Sequence, residues 1–227
     1  MNFEVLKTED FELKEWPDKA WEKAEFHELK DVISGDQIEK RARVKMLWSE
    51  KFLYVLFDVE DEHIWGTYEK DDDPIYDEEV VEIFVAHGEG TPQKYLEIQF
   101  SPKGVKYDAK VINPTGSRHD SGFQVDLSWN SNLLFKQRIE AKEDYGRYKA
   151  GKWITQVKIP AVEIGAGELK SGDRLRGNLF RIDGYPEQNS FQTLVPNMEK
   201  PANFHTPEKF ATFELTDLSS EPTNSLS

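Results

Sequence analysis

Two runs of alternating apolar and polar residues, Arg43 to Trp48 and Leu53 to Val59, are joined through a short link at Ser49, Glu50 and Lys51. A side-chain period of two belongs to a half-buried strand, and so short a link suits a hairpin. Val44, Met46 and Trp48 share one face of the first run. Leu53, Val55, Phe57 and Val59 share a face of the second, with Tyr54, Leu56 and Asp58 opposite. Beyond an acidic stretch comes another apolar run, Val80 to Val85, with Glu82 inside it. A buried strand has no stability reason to carry a charge, because an unpaired one costs several kcal/mol. Something is expected to meet that carboxylate.

Further strands are expected at Tyr95 to Phe100, Val105 to Val111, Phe123 to Leu127, Leu134 to Ile139, Trp153 to Ile159, Leu175 to Ile182, Phe191 to Leu194 and Phe210 to Leu215. Helical signals are few. Pro17 to Ala24 reads as two turns with Pro at the first position, and Ala161 to Ile164 as one turn after Pro160. About ten short strands punctuated by turn residues predict an all-β fold, a single antiparallel β-sandwich of jelly-roll-like type with one or two short helical turns. One domain is expected over residues 1–215. The polar, Ser-rich residues 216–227 read as a disordered tail.

Composition excludes several functions. The formal net charge of −14 repels phosphates and anionic membranes, so neither nucleic acid nor a lipid surface is an expected partner. A neutral or cationic ligand is the easier one. The absence of cysteine removes thiolate metal sites and a Cys nucleophile. No nucleophile-elbow or Gly-rich phosphate loop is present, so no nucleotide cofactor is expected. No apolar stretch approaches the length of a membrane span, about 18 residues. The N-terminus has no basic region followed by an apolar run, which places the chain in the cytoplasm at face value, or outside the cell if its start has been trimmed. A monomer is expected.

Read in order, the segments resemble carbohydrate-binding modules of family nine and their close relatives. WPDKAWEKAEF is similar to the entry of that family. VKMLWSEKFLYVLFDVEDEHIW, DDDPIYDEEVVEIFV, YLEIQFSPKGVKYD, WITQVKIP, GDRLRGNLFRIDG and NFHTPEKFATFEL follow in the family's order, so the resemblance covers roughly residues 12 to 215. It implies an antiparallel β-sandwich related to domains of the DOMON type, sugar binding without catalysis, and often structural calcium.

The same resemblance points to site residues. Tyr76 falls where well-understood members carry a sugar-stacking Trp, and Phe204 falls at the second such Trp. An aromatic plate recognises the C–H face of a sugar ring. Packing of Tyr76 onto the sandwich, or of Phe204 into a core, is the alternative for each. His205 is a hydrogen-bonding neighbour. Glu82 matches a hydroxyl-binding position, and Glu97 lies on an adjacent-looking strand; carboxylates are good acceptors for vicinal diols. Gln99 stands where the family often has Arg. Arg181, or Arg176, is the natural cation for the two glutamates, either pairing with them or orienting them toward a ligand. Asn178 and Asp183 are further candidates on the same strand as Arg181. The acidic loops, with Asp61, Asp71, Asp73 and Asp77, have the oxygen density calcium requires, without the spacing of an EF-hand.

Two other functions compete with sugar binding. A glycoside hydrolase would use Glu82 and Glu97 as acid and base, about 5–5.5 or about 6.5–9.5 Å apart, with one pKa raised; neighbouring arginines are expected to lower both instead. A haem domain, by fold analogy alone, needs facing axial ligands, and Met46 is assigned to the core. Haem is not expected.

Overall fold

The hairpin around Ser49 forms, and the sandwich is built outward from it. In the computed structural model, which describes residues 1–144, 147–184 and 190–217, the strands are β1 (Asn2–Lys7), β2 (His27–Glu28), β3 (Lys30–Asp31), β4 (Ala42–Trp48), β5 (Phe52–Asp61), β6 (Val80–His87), β7 (Lys94–Phe100), β8 (Lys106–Ile112), β9 (Gln124–Asp126), β10 (Leu134–Asp144), β11 (Arg147–Pro160), β12 (Arg174–Asp183), β13 (Ser190–Thr193) and β14 (Ala211–Thr216). Their main hydrogen-bonded order is β10-β11-β5-β4-β1-β14-β12-β6-β7-β8-β9, one sheet that curls over itself. Among the described residues no helix is long and apolar enough to cross a membrane.

The alternation read from the sequence sets the core. Val44, Met46 and Trp48 of β4 and Val55, Phe57 and Val59 of β5 pack in one cluster with Val81, Ile83 and Val85 of β6, Leu96, Ile98 and Phe100 of β7, and Leu175 and Leu179 of β12. This is the interior between the two halves of the sandwich. Burying such side chains stabilises the fold by about 1.5–3 kcal/mol each. A second apolar cluster lies on the outer face of the β12-β6-β7-β8 half, with Phe84, Tyr95, Tyr107, Phe180, Ile182, Phe204 and Phe210.

Three details differ from the sequence reading. β1 was not expected, and it pairs in parallel with both β14 and β4, so every strand pair is antiparallel except those of β1. Its six residues are too short and charged to announce a strand; their partners come from far along the chain. The expected two turns from Pro17 shrink to a 3-10 segment over Lys19–Lys23, because Asp18 Oδ1 accepts the Ala20 N–H at 3.0 Å and caps it there. Trp21 in this segment is buried and donates to Gln156 Oε1 at 3.0 Å. Ala161–Ile164 does form one helical turn, closed by Gly165 at φ 96°. Thr216, expected to open the tail, instead ends β14, and Asp217 pairs with Lys7 at 3.2 Å. The rest of the expected tail lies outside the described residues.

Candidate functional site

Strand parity decides which polar side chains reach the outer face. Val81, Ile83 and Val85 enter the sandwich, so Glu82 and Phe84 point away from it. Leu96, Ile98 and Phe100 enter it from β7, so Glu97 and Gln99 also face out. These residues, with Tyr107 of β8 and Ile182 of β12, floor a cleft of about 350 Å³. Its walls come from loops: Tyr76 on one side, Ala202, Phe204 and His205 on another, with Phe191, Arg118 and Val125 completing the rim. Six expected site residues are therefore brought together: Tyr76, Glu82, Glu97, Gln99, Phe204 and His205.

The floor holds acceptors with nothing to accept from. Glu82 is 2% exposed, and its Oε1 has no hydrogen-bond partner among the described residues. Glu97 Oε1 accepts from Gln99 Nε2 at 2.7 Å, which leaves Gln99 Oε1 unpartnered. Glu82 sits opposite Gln99 and Phe84 opposite Glu97, so the two acids are diagonal neighbours on adjacent strands. Burial pushes Glu97 up to about 7. Burial also pushes Glu82 well above the ordinary carboxylate range, and the nearby Glu97 charge adds to it.

The arginines expected beside these acids are elsewhere. Arg176 donates to Thr212 Oγ1 at 2.9 Å. Arg181 alternates with Phe180 and Ile182 and so points to the interior of the sandwich, where it meets acids from other elements. Both glutamates are raised rather than lowered, because desolvation acts on them with no cation to oppose it. Asp183 shares the interior parity of Arg181. Asn178 is spent on the backbone: its Nδ2 donates to the Val195 carbonyl at 3.0 Å, and its Oδ1 accepts from the Val195 and Leu179 N–H groups. None of Asn178, Arg181 and Asp183 lines the cleft.

The loop that presents Tyr76 is pinned at several points. Glu78 accepts from the Thr67 N–H at 2.7 Å and from the Thr67 hydroxyl, while Asp71 Oδ1 accepts from the Lys106 N–H at 3.0 Å. Ile75 is fully buried, so Tyr76 next to it is turned outward, 42% exposed and edge-on to Tyr107 with ring centroids 5.6 Å apart. Phe204 is less free, since Phe180 stacks on it at 4.1 Å and 13°. His205 is held by Tyr95, whose hydroxyl lies 2.8 Å from Nδ1. Asn113 Nδ2 donates to that hydroxyl at 3.5 Å, and the ring Nε2 lies 3.9 Å from Glu97 Oε2. Burial, with the Arg118 charge, pushes His205 down to about 4, so it is neutral at pH 7.

Calcium does not fit the acids as they are arranged. Among the described residues the one group of carboxylates close enough to share an ion is Asp61, Glu79 and Asp183. Asp71, Asp73 and Asp77 are not part of it. Asp71 and Asp73 accept backbone N–H groups of Lys106 and Lys70. Calcium takes 6–8 oxygens at about 2.3–2.6 Å, but here Arg181 Nη2 occupies the meeting point. It donates to Asp61 Oδ2, lies 3.0 Å from Glu79 Oε1 and 3.8 Å from Asp183 Oδ2. Lys40 adds a second cation, 3.0 Å from Asp183 Oδ2. Burial pushes Glu79 well up; burial works against Arg181 too, but Glu79, Asp61 and Asp183 outweigh it and hold the guanidinium charged. Gly184 makes the close approach possible, because a Cβ there would lie 2.1 Å from the Glu78 carbonyl oxygen.

The sequence reading missed Phe84, Tyr107, Ile182, Phe191 and Arg118 as cleft residues. Phe84 was within reach, since it lies two residues after Glu82 on the same strand face. Arg118 sits in a Gly- and Ser-rich loop with no pattern to mark it.

Compared with known proteins, residues 15–217 match the family described as carbohydrate family 9 binding domain-like. A protein of Arthroderma benhamiae named "extracellular protein" is 31% identical over 151 residues, covering 64% of this chain and 66% of its own length. Among solved structures, a protein from Bacteroides uniformis has a TM-score of 0.69 at 16% identity, over 94% of this chain and 98% of that one. A family 9 carbohydrate-binding module from Caldicellulosiruptor kristjanssonii, solved with cellotriose, has a TM-score of 0.63 at 14% identity over 100% and 98%. The same module with glucose gives 0.64 at 15% over 98% and 100%. At these identities the likeness is one of fold.

Proposed function

The chain belongs to the carbohydrate family 9 binding domain-like family, and from that premise we propose that the cleft over β6, β7, β8 and β12 binds a saccharide without transforming it. The observation that carries this reading is the pairing of an exposed aromatic plate, Tyr76, with unpartnered acceptors on the floor, Glu82 Oε1 and Gln99 Oε1. A sugar offers an apolar face for the first and hydroxyl donors for the second. The cleft volume lies at the small end of ligand sites, about 300–1,000 Å³. Glu97 and His205 complete the polar lining. Phe204 borders the ring with the surface that Phe180 leaves uncovered. Solved members of the fold hold glucose and cellotriose.

Glycoside hydrolysis is the weaker reading. An acid–base or acid–nucleophile pair works because its members are pushed apart, one kept protonated and one ionised. Here burial pushes Glu82 and Glu97 in the same direction.

Calorimetric titration with glucose and cellotriose tests the site. Tyr76→Ala and Glu82→Gln are each expected to weaken binding about tenfold, a loss of about 1.4 kcal/mol. Wild-type affinity in both variants would place the ligand elsewhere. Release of reducing sugar from a glycan panel would overturn the non-catalytic reading.

A further inference from the structure

We propose that the cleft prefers a saccharide bearing a protonated amino group, a hexosamine unit with a free amine, over its neutral counterpart. This inference rests on the saccharide reading above and adds the charge of the ligand. Its basis is an imbalance in the lining. Glu82 and Glu97 are both buried in the floor, and neither has a Lys or Arg partner among the described residues. Among the described residues, the one cationic side chain lining the cleft is Arg118, which is exposed on the rim. His205, 3.9 Å from Glu97, is committed to Tyr95 and stays neutral.

The chain does not leave buried acids bare in general. In the interior of the sandwich, Asp61, Glu79 and Asp183 are met by Arg181 and Lys40. The floor of the cleft is the contrasting place, where the countercharge is missing and open volume stands in its stead. An ammonium group supplies that charge together with three donors. The oxygens free to receive them are Glu82 Oε1 and Gln99 Oε1, with Glu97 beside them. A hydroxyl supplies one donor and no charge, so it satisfies an acceptor on the floor without supplying the missing countercharge. The rings of Tyr76, Phe84 and Tyr107 present π-faces and edges around the same space, and such rings favour cations. The chain's net charge of −14 draws cationic ligands toward it.

The test compares four probes on the full chain by calorimetry at pH 7: glucosamine against glucose, and a fully deacetylated glucosamine trimer against cellotriose. The amino trimer is expected to bind at least tenfold tighter than cellotriose, with the advantage shrinking as salt is added. Glu82→Gln and Glu97→Gln each remove one carboxyl that an ammonium group draws into its ionised form, so in both the ratio of amino to neutral affinity is expected to fall several-fold. That ratio is read separately from the absolute affinity, which a damaged site would lower for both probes alike. Equal binding of the two trimers, or tighter binding of cellotriose, would overturn the amine preference and leave the saccharide site standing. Failure of all four probes to bind would overturn both.

Discussion

Two groups of buried acids, one inside the sandwich and one on its outer face, are treated differently. Asp61, Glu79 and Asp183 face the interior and surround Arg181, with Lys40 alongside. Glu82 and Glu97 face outward into open volume with only Gln99 for company. The first group has its cations inside the fold: remove one and the fold suffers. The second has no Lys or Arg partner among the described residues. The difference separates acids matched by internal cations from acids that face an open cleft, a distinction that burial alone does not make.

The largest effect that could break this contrast is on stability. Arg181→Met strands three carboxyls in the interior and is expected to cost about 3–5 kcal/mol in urea denaturation; a loss under about 1 kcal/mol would mean the cluster needs no internal cation. Next comes the pH dependence of the floor. Glu97 has a folded pKa of about 7, above its ordinary 4.5, so the folded state holds the extra proton between these values. Its contribution is fully present below pH 4.5 and is lost as pH rises through 7, about 3 kcal/mol in all. His205, depressed to about 4 from 6.5, acts with the opposite sign, losing stability as pH falls through that window. The difference between wild type and Glu97→Gln across pH 4.5–8 isolates the glutamate, and parallel curves would show it is solvated.

Smaller effects sharpen the comparison. Tyr76→Ala is expected to cost about tenfold in saccharide affinity while changing stability by less than about 1 kcal/mol, since the ring is 42% exposed. Glu82→Gln is expected to gain about 1 kcal/mol at pH 8, because a carboxyl whose pKa is raised by burial costs stability above its ordinary range. Thermal melts would show a loss instead if Glu82 has a hidden structural partner. Smallest is chelation: because Arg181 fills the acid cluster, EDTA is expected to leave Tm within about 1 °C. A larger drop would show that an ion shares the site.

Much of this was legible beforehand. The period-two runs marked the strands from Ala42 to Thr216, and six of nine expected ligand-site residues meet in one cleft. Glu82 stood out because a carboxyl inside an apolar strand needs a reason. Asn178 falls outside the cleft because its amide is spent on Val195 and Leu179, and Arg181 and Asp183 do so because β12 is buried on both faces. Its apolar residues Leu179 and Phe180 lie on opposite sides, and periodicity alone does not say which side is the cleft. Arg181 was matched to the wrong glutamates for the same reason. Asp71 and Asp73 looked like ligands by oxygen density, yet each is used to brace a loop.

The sequence by itself determined the all-β class, the strand that carries Glu82, and the family, because alternation and motif order are local and survive translation into structure. Only the tertiary structure decided which buried acid meets which cation. Ion pairs form between residues 102 or 120 positions apart, as Arg181 does with Glu79 and Asp61. Whether a carboxyl is paired or left open depends on which strands face one another across the sandwich, and no local pattern encodes that.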